Sequence, residues 1–189
     1  MACHRYLVLV CTQPTKRILA VLIASLVSSM IWEASAQTTD AIQSIRKQYA
    51  AINKRVAQYK KVRKELSGFS AEGGRLIAYL DGSTIVKISA TYYGETGKAD
   101  EEYYYQDGKL IFVYRKDSTY SRPMSGKVIR TSENRFYFQN DQLIKWLDEN
   151  GKEVSAGAES KNEQDESLAT SNKFLIGVRL KNPTIEAPE

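Results

Sequence analysis

Five carboxylates between positions 100 and 148 are the residues best suited by type and spacing to acid–base chemistry. They are Asp100, Glu101, Glu102, Glu133 and Asp148. Hydrolysis of a glycosidic bond uses two carboxyl groups about 5–10 Å apart across a cleft. We expect these five to be solvated charges at strand ends and in loops, and a carboxylate-dependent enzyme acting on a glycan is an alternative.

Histidine and cysteine chemistry is confined to the first 36 residues, which contain His4, Cys3 and Cys11. Without that segment the chain cannot form a disulfide, a Ser-His-Asp or Cys-His nucleophile, or a zinc or haem site with histidine or thiolate ligands. The acids at 100–102 and 165–166 lack calcium-loop spacing, and no glycine-rich phosphate loop is present. The sequence therefore predicts a non-catalytic chain with no cofactor and no metal.

Residues 1–36 have the three parts of a secretory signal. A basic stretch without acids precedes the apolar run Ile18–Ile31, and the small-x-small triplet Ala34-Ser35-Ala36 follows. The apolar run is shorter than the roughly 20 residues that a membrane span needs. We predict cleavage near Ala36 and export to the periplasm or the extracellular space; the alternatives are an uncleaved anchor and a lipoprotein attached through Cys11.

The mature chain would have about 150 residues, which is enough for one domain with a core. Its formal charge would be about +3, against +5 for the whole chain. This modest charge and the predicted export argue against nucleic acid as a partner. Another exported protein or an anionic polymer is the expected partner, and no later segment is apolar enough to span a membrane.

An apolar stripe at spacings of three and four predicts a long amphipathic helix at the mature N-terminus. Its members are Ile42, Ile45, Tyr49, Ile52, Val56, Tyr59, Val62 and Leu66. The predicted helix begins near Asp40, ends near Ser67 and carries mostly lysine and arginine on its other side. We expect it to pack on a sheet in a monomer or weak dimer. The alternatives are a helix-mediated, self-assembling structural protein and contact with a membrane surface or anionic polymer.

Three related stretches, 77–88, 103–114 and 136–147, predict three β-hairpins. Their centres are Asp81-Gly82, Asp107-Gly108 and Asn140-Asp141, pairs that tolerate the positive φ of two-residue turns. The turns predict that Tyr105 faces Leu110 and that Tyr103 faces Phe112. The fold class is therefore α+β, with an antiparallel meander of about six strands behind the helix.

The predicted register sorts the hairpin side chains onto two faces. The nearly all-apolar face, expected to meet the helix, holds Ile77, Tyr79, Val86, Ile88, Tyr103, Tyr105, Leu110, Phe112, Tyr114, Phe136, Phe138, Leu143 and Leu147. The second face is also rich in apolar residues, with charges among them. Its candidate binding residues are Tyr104, Ile111, Tyr137, Ile144 and Trp146. The competing interpretation is that the C-terminal segment covers this face.

The predicted organisation is a signal peptide over 1–36, a helix-plus-sheet domain over 37–150, a linker over 151–162 and a C-terminal segment over 163–189. The last segment fits either a short helix from near Asp165 or a strand, and residues 183–189 fit disorder. We predict an exported non-catalytic domain that binds a protein or other macromolecule through an aromatic sheet face.

Overall fold

A computed structural model describes residues 37–187, in which two helices flank one eight-stranded sheet. The first helix, α1, covers 37–54. The strands are β1 (Lys60–Ser67), β2 (Gly74–Asp81), β3 (Thr84–Gly94), β4 (Gly97–Gln106), β5 (Lys109–Tyr120), β6 (Val128–Gln139), β7 (Gln142–Leu147) and β8 (Thr184–Glu186), and the second helix is α2 (Ala158–Arg179). The predicted signal and its cleavage site near Ala36 lie outside the described residues.

The strands from β1 to β7 form an antiparallel meander, in which each pairs with the next along the chain. The last strand, β8, returns to the far edge and pairs in parallel with β1. The α+β class and the antiparallel meander are thus confirmed. The count of about six strands was wrong, because β1 and β8 add to the six strands of the predicted hairpins.

The predicted helix was also wrong beyond residue 54, because residues 60–67 form strand β1. Val62 and Leu66 are four residues apart, a spacing that fits a helical stripe and also one face of a strand. In the structure they share a face with Lys64, which lies between them and is buried. The buried and half-buried positions of this segment therefore recur with the period of two that is typical of a strand.

Burial of Lys64 is possible because its ammonium group has partners. It donates hydrogen bonds to the backbone carbonyl oxygens of Leu180 and Asn182, which follow α2. These carbonyls replace the water that a buried ammonium loses. The same contact joins the end of α2 to strand β1, next to the β8 edge of the sheet.

Each of the three hairpins carries a β-bulge beside its turn. The predicted pairing of Tyr105 with Leu110 is confirmed, but the predicted pairing of Tyr103 with Phe112 was wrong. Because Ile111 is an extra residue on the returning strand, Phe112 pairs with Tyr104 and Tyr103 pairs with Val113. A bulge moves every later side chain of its strand to the opposite face, so the predicted division of the two faces also failed.

We call the side of the sheet under α1 face A and the side under α2 face B. The buried cluster on face A comprises Ile45, Ile52, Tyr59, Tyr104, Ile111, Phe112 and Tyr137. The larger buried cluster on face B comprises Leu66, Leu76, Ala78, Ile85, Ile88, Ala90, Tyr103, Tyr105, Leu110, Val113, Phe136, Phe138, Phe174, Val178 and Ile185. Both faces of the sheet therefore carry a core.

The C-terminal segment is more ordered than the sequence predicted. Helix α2 begins at Ala158, inside the stretch predicted as a linker, and extends to Arg179. Strand β8 lies within the stretch predicted as disordered, and its Ile185 packs against Gly177 of α2. Neither helix, over the residues described, combines the length and apolarity needed to cross a bilayer.

Candidate functional site: a cleft beside helix α1

The five residues predicted as a binding surface do not lie together on an open face. Tyr104, Ile111 and Tyr137 are buried under α1 on face A, and Ile144 is half-buried in the same cluster. Trp146 packs against the face B cluster, where its ring centroid is 5.3 Å from that of Phe136. In a regular strand Ile144 and Trp146 would share a face, because they are two residues apart. The bulge at Ile144 breaks this alternation and places Ile144 on face A and Trp146 on face B.

Helix α1 covers only the part of face A that lies nearest the hairpin turns. It packs on the cross-strand row Tyr79, Lys87, Tyr104, Phe112 and Tyr137, which the exposed Lys61 extends at its end. The next row, Arg63, Ile77, Ser89, Glu102, Tyr114 and Arg135, lies farther from the turns. Except for the exposed Arg63, this second row is half-buried, so that part of face A remains accessible to solvent.

A cleft of about 310 Å³ opens where α1 meets the accessible part of face A. Its lining residues are Ile45, Arg46, Tyr49, Phe112, Tyr114, Arg135 and Tyr137. The floor is apolar because it is formed by the side chains of Ile45, Phe112 and Tyr137, each of which is at most 6 % exposed. Phe112 connects the aromatic walls, with its ring centroid 5.4 Å from Tyr49 and 4.9 Å from Tyr137.

Two arginines border the cleft, and they differ in their partners. Arg135 donates to Glu133 at 2.7 Å, whereas Arg46 forms no ion pair with any described residue. The guanidinium of Arg46 lies 5.8 Å from the ring centroid of Tyr137, and that of Arg135 lies 5.7 Å from Tyr114. Arg46 therefore keeps its donors available for an anion beside the aromatic wall.

Tyr114 stays uncharged across the ordinary pH range. Burial and the hydrogen bond with Glu133 raise the pKa of Tyr114 to about 12. The cleft consequently presents neutral aromatic rings and two guanidinium groups, and the acid Glu133 beside it is engaged by Arg135 and Tyr114. This combination favours a ligand with an anionic group next to an apolar or planar group.

The neighbouring acids Glu101 and Glu102 face opposite sides of the sheet. Glu102 lies on face A, where it accepts hydrogen bonds from Lys87 at 2.7 Å and from the Tyr104 hydroxyl at 2.5 Å. The side chain of Asn53 in α1 contacts the same lysine at 3.1 Å and the same hydroxyl at 3.0 Å. Glu102 thus anchors the end of α1 to the sheet.

Glu101 belongs to a buried network on face B. It accepts hydrogen bonds from the hydroxyl of Tyr103 at 2.5 Å and from Arg115 at 2.6 Å. The other guanidinium nitrogens of Arg115 bind Glu163 of α2 at 2.9 and 3.0 Å. Burial opposes the charge on Arg115, but the two carboxylates outweigh it and raise its pKa. Glu101 and Glu102 therefore cannot act as an acid–base pair across one cleft.

The other candidate acids have local partners. Asp100 pairs with Lys98 at 2.7 Å and accepts a hydrogen bond from Thr91 at 2.8 Å. Asp148 accepts backbone hydrogen bonds in the turn after β7. Over residues 37–187, no group of three or more histidine, cysteine, aspartate or glutamate side chains is arranged to hold a metal ion.

Sequence reasoning found Tyr137 but missed the rest of the cleft. Phe112 and Tyr114 were predicted to face the helix, as they do, but Tyr137 was predicted on the other face because the bulges were not foreseen. Arg46 was treated as part of a solvated helix surface. Its position three residues before Tyr49 and one after Ile45, at the border of the apolar stripe, is the signal that could have identified it.

Comparisons with known proteins give no family for this chain. The sequence matches no protein-family model, and no curated protein and no solved structure is significantly similar to it. The functional interpretation therefore rests on the geometry of the molecule.

Proposed function

We propose that this chain is an exported, non-catalytic binding domain, and that the cleft beside α1 holds an anionic and apolar group of a protein or other macromolecular partner. The observation that carries the proposal is the position of Arg46. Its guanidinium has no anionic partner among the described residues and lies beside the aromatic wall formed with Tyr137. A charged donor next to an apolar pocket is a common arrangement in ligand sites.

The size of the cleft supports a macromolecular partner. Its volume of about 310 Å³ is at the lower end of the range for ligand pockets, about 300–1,000 Å³. A cleft of this size accepts one or two side chains, such as an aromatic residue beside a carboxylate. The accessible part of face A next to it offers further surface for the rest of a partner.

Export is supported by the pattern of residues 1–36 described above. If the signal is cleaved near Ala36, N-terminal sequencing of the protein recovered from the periplasm or medium should begin at Gln37. Recovery of the chain with Met1 still attached, from the cytoplasm alone, would contradict export.

We also interpret the three hairpins as copies of one unit. They share a two-residue turn followed by a bulge four residues after the turn begins, with the tyrosines Tyr79, Tyr104 and Tyr137 at equivalent positions opposite the bulges. In this interpretation face A received one tyrosine from each copy, and two of these rings came to lie in or next to the cleft.

The proposal is tested by titrating the full chain with phenylacetate and following the chemical shifts of the cleft residues. Phenylacetate combines a carboxylate with an aromatic ring, and benzylamine is its cationic counterpart. Arg46→Glu should weaken phenylacetate binding at least ~10-fold, because a charge-assisted hydrogen bond contributes roughly 1.5–3 kcal/mol. Lys47→Glu changes the charge of α1 equally at an exposed neighbouring position and should weaken binding less than ~3-fold by long-range electrostatics alone.

Circular dichroism should show the same helix content for both variants, since both positions are exposed on α1. Equal losses for Arg46→Glu and Lys47→Glu would mean that only the overall charge attracts the anion. Binding of benzylamine as tight as that of phenylacetate would also contradict the proposal.

A further inference from the structure

The loop between β5 and β6, with the strand ends beside it, forms an exposed arm, residues 120–131. It lies next to the β3–β4 turn, at the end of the sheet opposite the turns of the three predicted hairpins. Every residue from 121 to 131 is exposed. Among the described residues six large hydrophobic side chains are exposed, and three of them are on this arm: Met124 at 71 %, Val128 at 42 % and Ile129 at 64 %. Single exposed apolar residues are ordinary, but three within six positions form a patch.

The arm is also basic. Arg122, Lys127 and Arg130 lie among the apolar residues, and there is no acid from 118 to 132. Arg130 contacts Glu149 at 3.3 Å on the surface, where both side chains are well exposed and the interaction is weak. Arg122 and Lys127 form no ion pair within residues 37–187.

The loop at the tip of the arm is held by the backbone rather than by apolar packing. The Ser121 amide donates to the Lys127 carbonyl at 2.8 Å, and the Met124 amide donates to the Glu95 carbonyl at 2.7 Å. Met124 has a φ of 57°, in the left-handed region that is unfavourable for a side chain of this type. The loop therefore keeps a large apolar side chain in water at a strained position where it adds nothing to the core.

The chemistry of the arm fits an anionic lipid surface. Met124 in the loop and the consecutive residues Val128 and Ile129 of β6 are all exposed, and Ile129 is the extra residue of a β-bulge. Apolar side chains at an exposed tip can enter the boundary between the head groups and the acyl chains of a bilayer. Cations beside the apolar residues complement anionic head groups.

We propose that the arm is a membrane-surface anchor. Met124, Val128 and Ile129 enter the interfacial region of a bilayer that contains anionic lipid, and Arg122, Lys127 and Arg130 lie at the level of the head groups. Attachment of this kind is peripheral and reversible, and it places the cleft beside α1 near a membrane. It is independent of what the cleft binds.

The apolar part of the proposal is tested by sedimentation of the full chain with vesicles of phosphatidylcholine and phosphatidylglycerol. Met124→Gly with Ile129→Ser should weaken binding at least ~10-fold, because it removes most of the apolar area available for insertion. Glycine suits the positive φ of Met124, so this variant should fold as well as the parent. Ile176→Ser with Leu180→Ser removes similarly exposed apolar side chains from α2 and from the residue that follows it, and should change binding less than about twofold.

The charged part is tested with the same vesicles and with phosphatidylcholine alone. Arg122→Glu with Lys127→Glu should abolish the preference for anionic vesicles, whereas Lys109→Glu with Lys152→Glu, at exposed sites outside the arm, should retain it. Residues 1–36 are identical in all variants, so a difference between variants belongs to the substituted positions.

Two outcomes would overturn the proposal. The first is equal binding of the arm variants and their matched controls. The second is absence of vesicle binding by the parent chain, which is the result expected if the arm instead docks on an acidic protein.

Discussion

The two faces of the sheet are covered by helices of different kinds. On face A, α1 contributes large apolar side chains, including Ile45, Tyr49 and Ile52, and covers only the part nearest the hairpin turns. On face B, α2 buries mainly small and polar residues. Its buried residues are Gln164, Ser167, Ser171, Phe174, Gly177 and Val178, of which Phe174 is the one large apolar side chain. The difference indicates that specific polar contacts help to hold α2 on face B, while face A keeps an accessible aromatic border.

The polar contacts of α2 are distributed along its length. Gln164 accepts a hydrogen bond from the Leu143 amide at 2.8 Å, and Ser171 is within hydrogen-bond distance of the Tyr105 hydroxyl at 3.1 Å. With Arg115 and Glu163 they fix the register of the helix on the sheet. Among the described residues no buried polar side-chain atom lacks a partner, which is the condition under which a polar interface is stable.

Removal of an aromatic ring should give the largest difference in the free energy of unfolding between the two faces. Phe174→Ala on α2 should lower the free energy of unfolding by about 4 kcal/mol, because this fully buried ring contacts Tyr103 and Phe69. Tyr49→Ala on α1 should cost only about 1 kcal/mol, since Tyr49 is 37 % exposed at the cleft. Urea denaturation measures both, and equal losses would contradict the difference between the faces.

The second prediction concerns the buried ion network of face B. Arg115→Ala leaves Glu101 and Glu163 without their shared cation and should cost about 3 kcal/mol. Arg135→Ala removes a more exposed arginine from face A and should cost less than about 1 kcal/mol. Thermal unfolding at neutral pH gives the comparison. If both substitutions have the same small effect, the network does not hold α2.

The smallest expected effect is a dependence of stability on alkaline pH. Burial raises the pKa values of Tyr103, Tyr104 and Tyr105 above the ordinary 10.0, so the folded state keeps these hydroxyls protonated. Their contribution is complete below about pH 10 and is lost as the pH rises toward the folded-state pKa values. Each tyrosine should cost about 1 kcal/mol of stability at a pH one unit above its ordinary pKa.

Tyr105→Phe tests this dependence, because it removes one buried hydroxyl and should make the decline of stability above pH 10 shallower. Tyr120→Phe at the base of the arm, where the side chain is half-exposed, is the matched control. If stability declines above pH 10 as steeply in Tyr105→Phe as in the parent chain, buried tyrosines do not set the alkaline limit of stability.

The sequence predicted the parts of the fold that depend on local turn chemistry. The turn residues Asp107 and Gly108 have φ values of 52° and 77°, as expected for the pair, and they fix the pairing of Tyr105 with Leu110. In the first hairpin the turn lies one residue later than predicted, at Gly82 and Ser83, because Asp81 already pairs with Thr84.

The sequence could not predict features that depend on distant partners. The sequence of β5 is compatible both with a regular strand and with a strand that has a bulge at Ile111. Only the bulge places Phe112 beside Tyr137 in the cleft. Burial of Lys64 depends on carbonyl groups more than 110 residues away, so the segment around it was read as helix. The cleft itself needs α1 and the two strands β5 and β6 in place.

The measurement that most directly tests the central claim is a map of phenylacetate-induced shifts in the aromatic side-chain signals of the full chain. We predict that Tyr49, Tyr114 and Tyr137 shift on face A, while Tyr103 and Tyr105 on face B do not, because these two rings are buried under α2 and each is only 1 % exposed. Shifts confined to face B, or spread equally over both faces, would contradict the claim that face A carries the binding site.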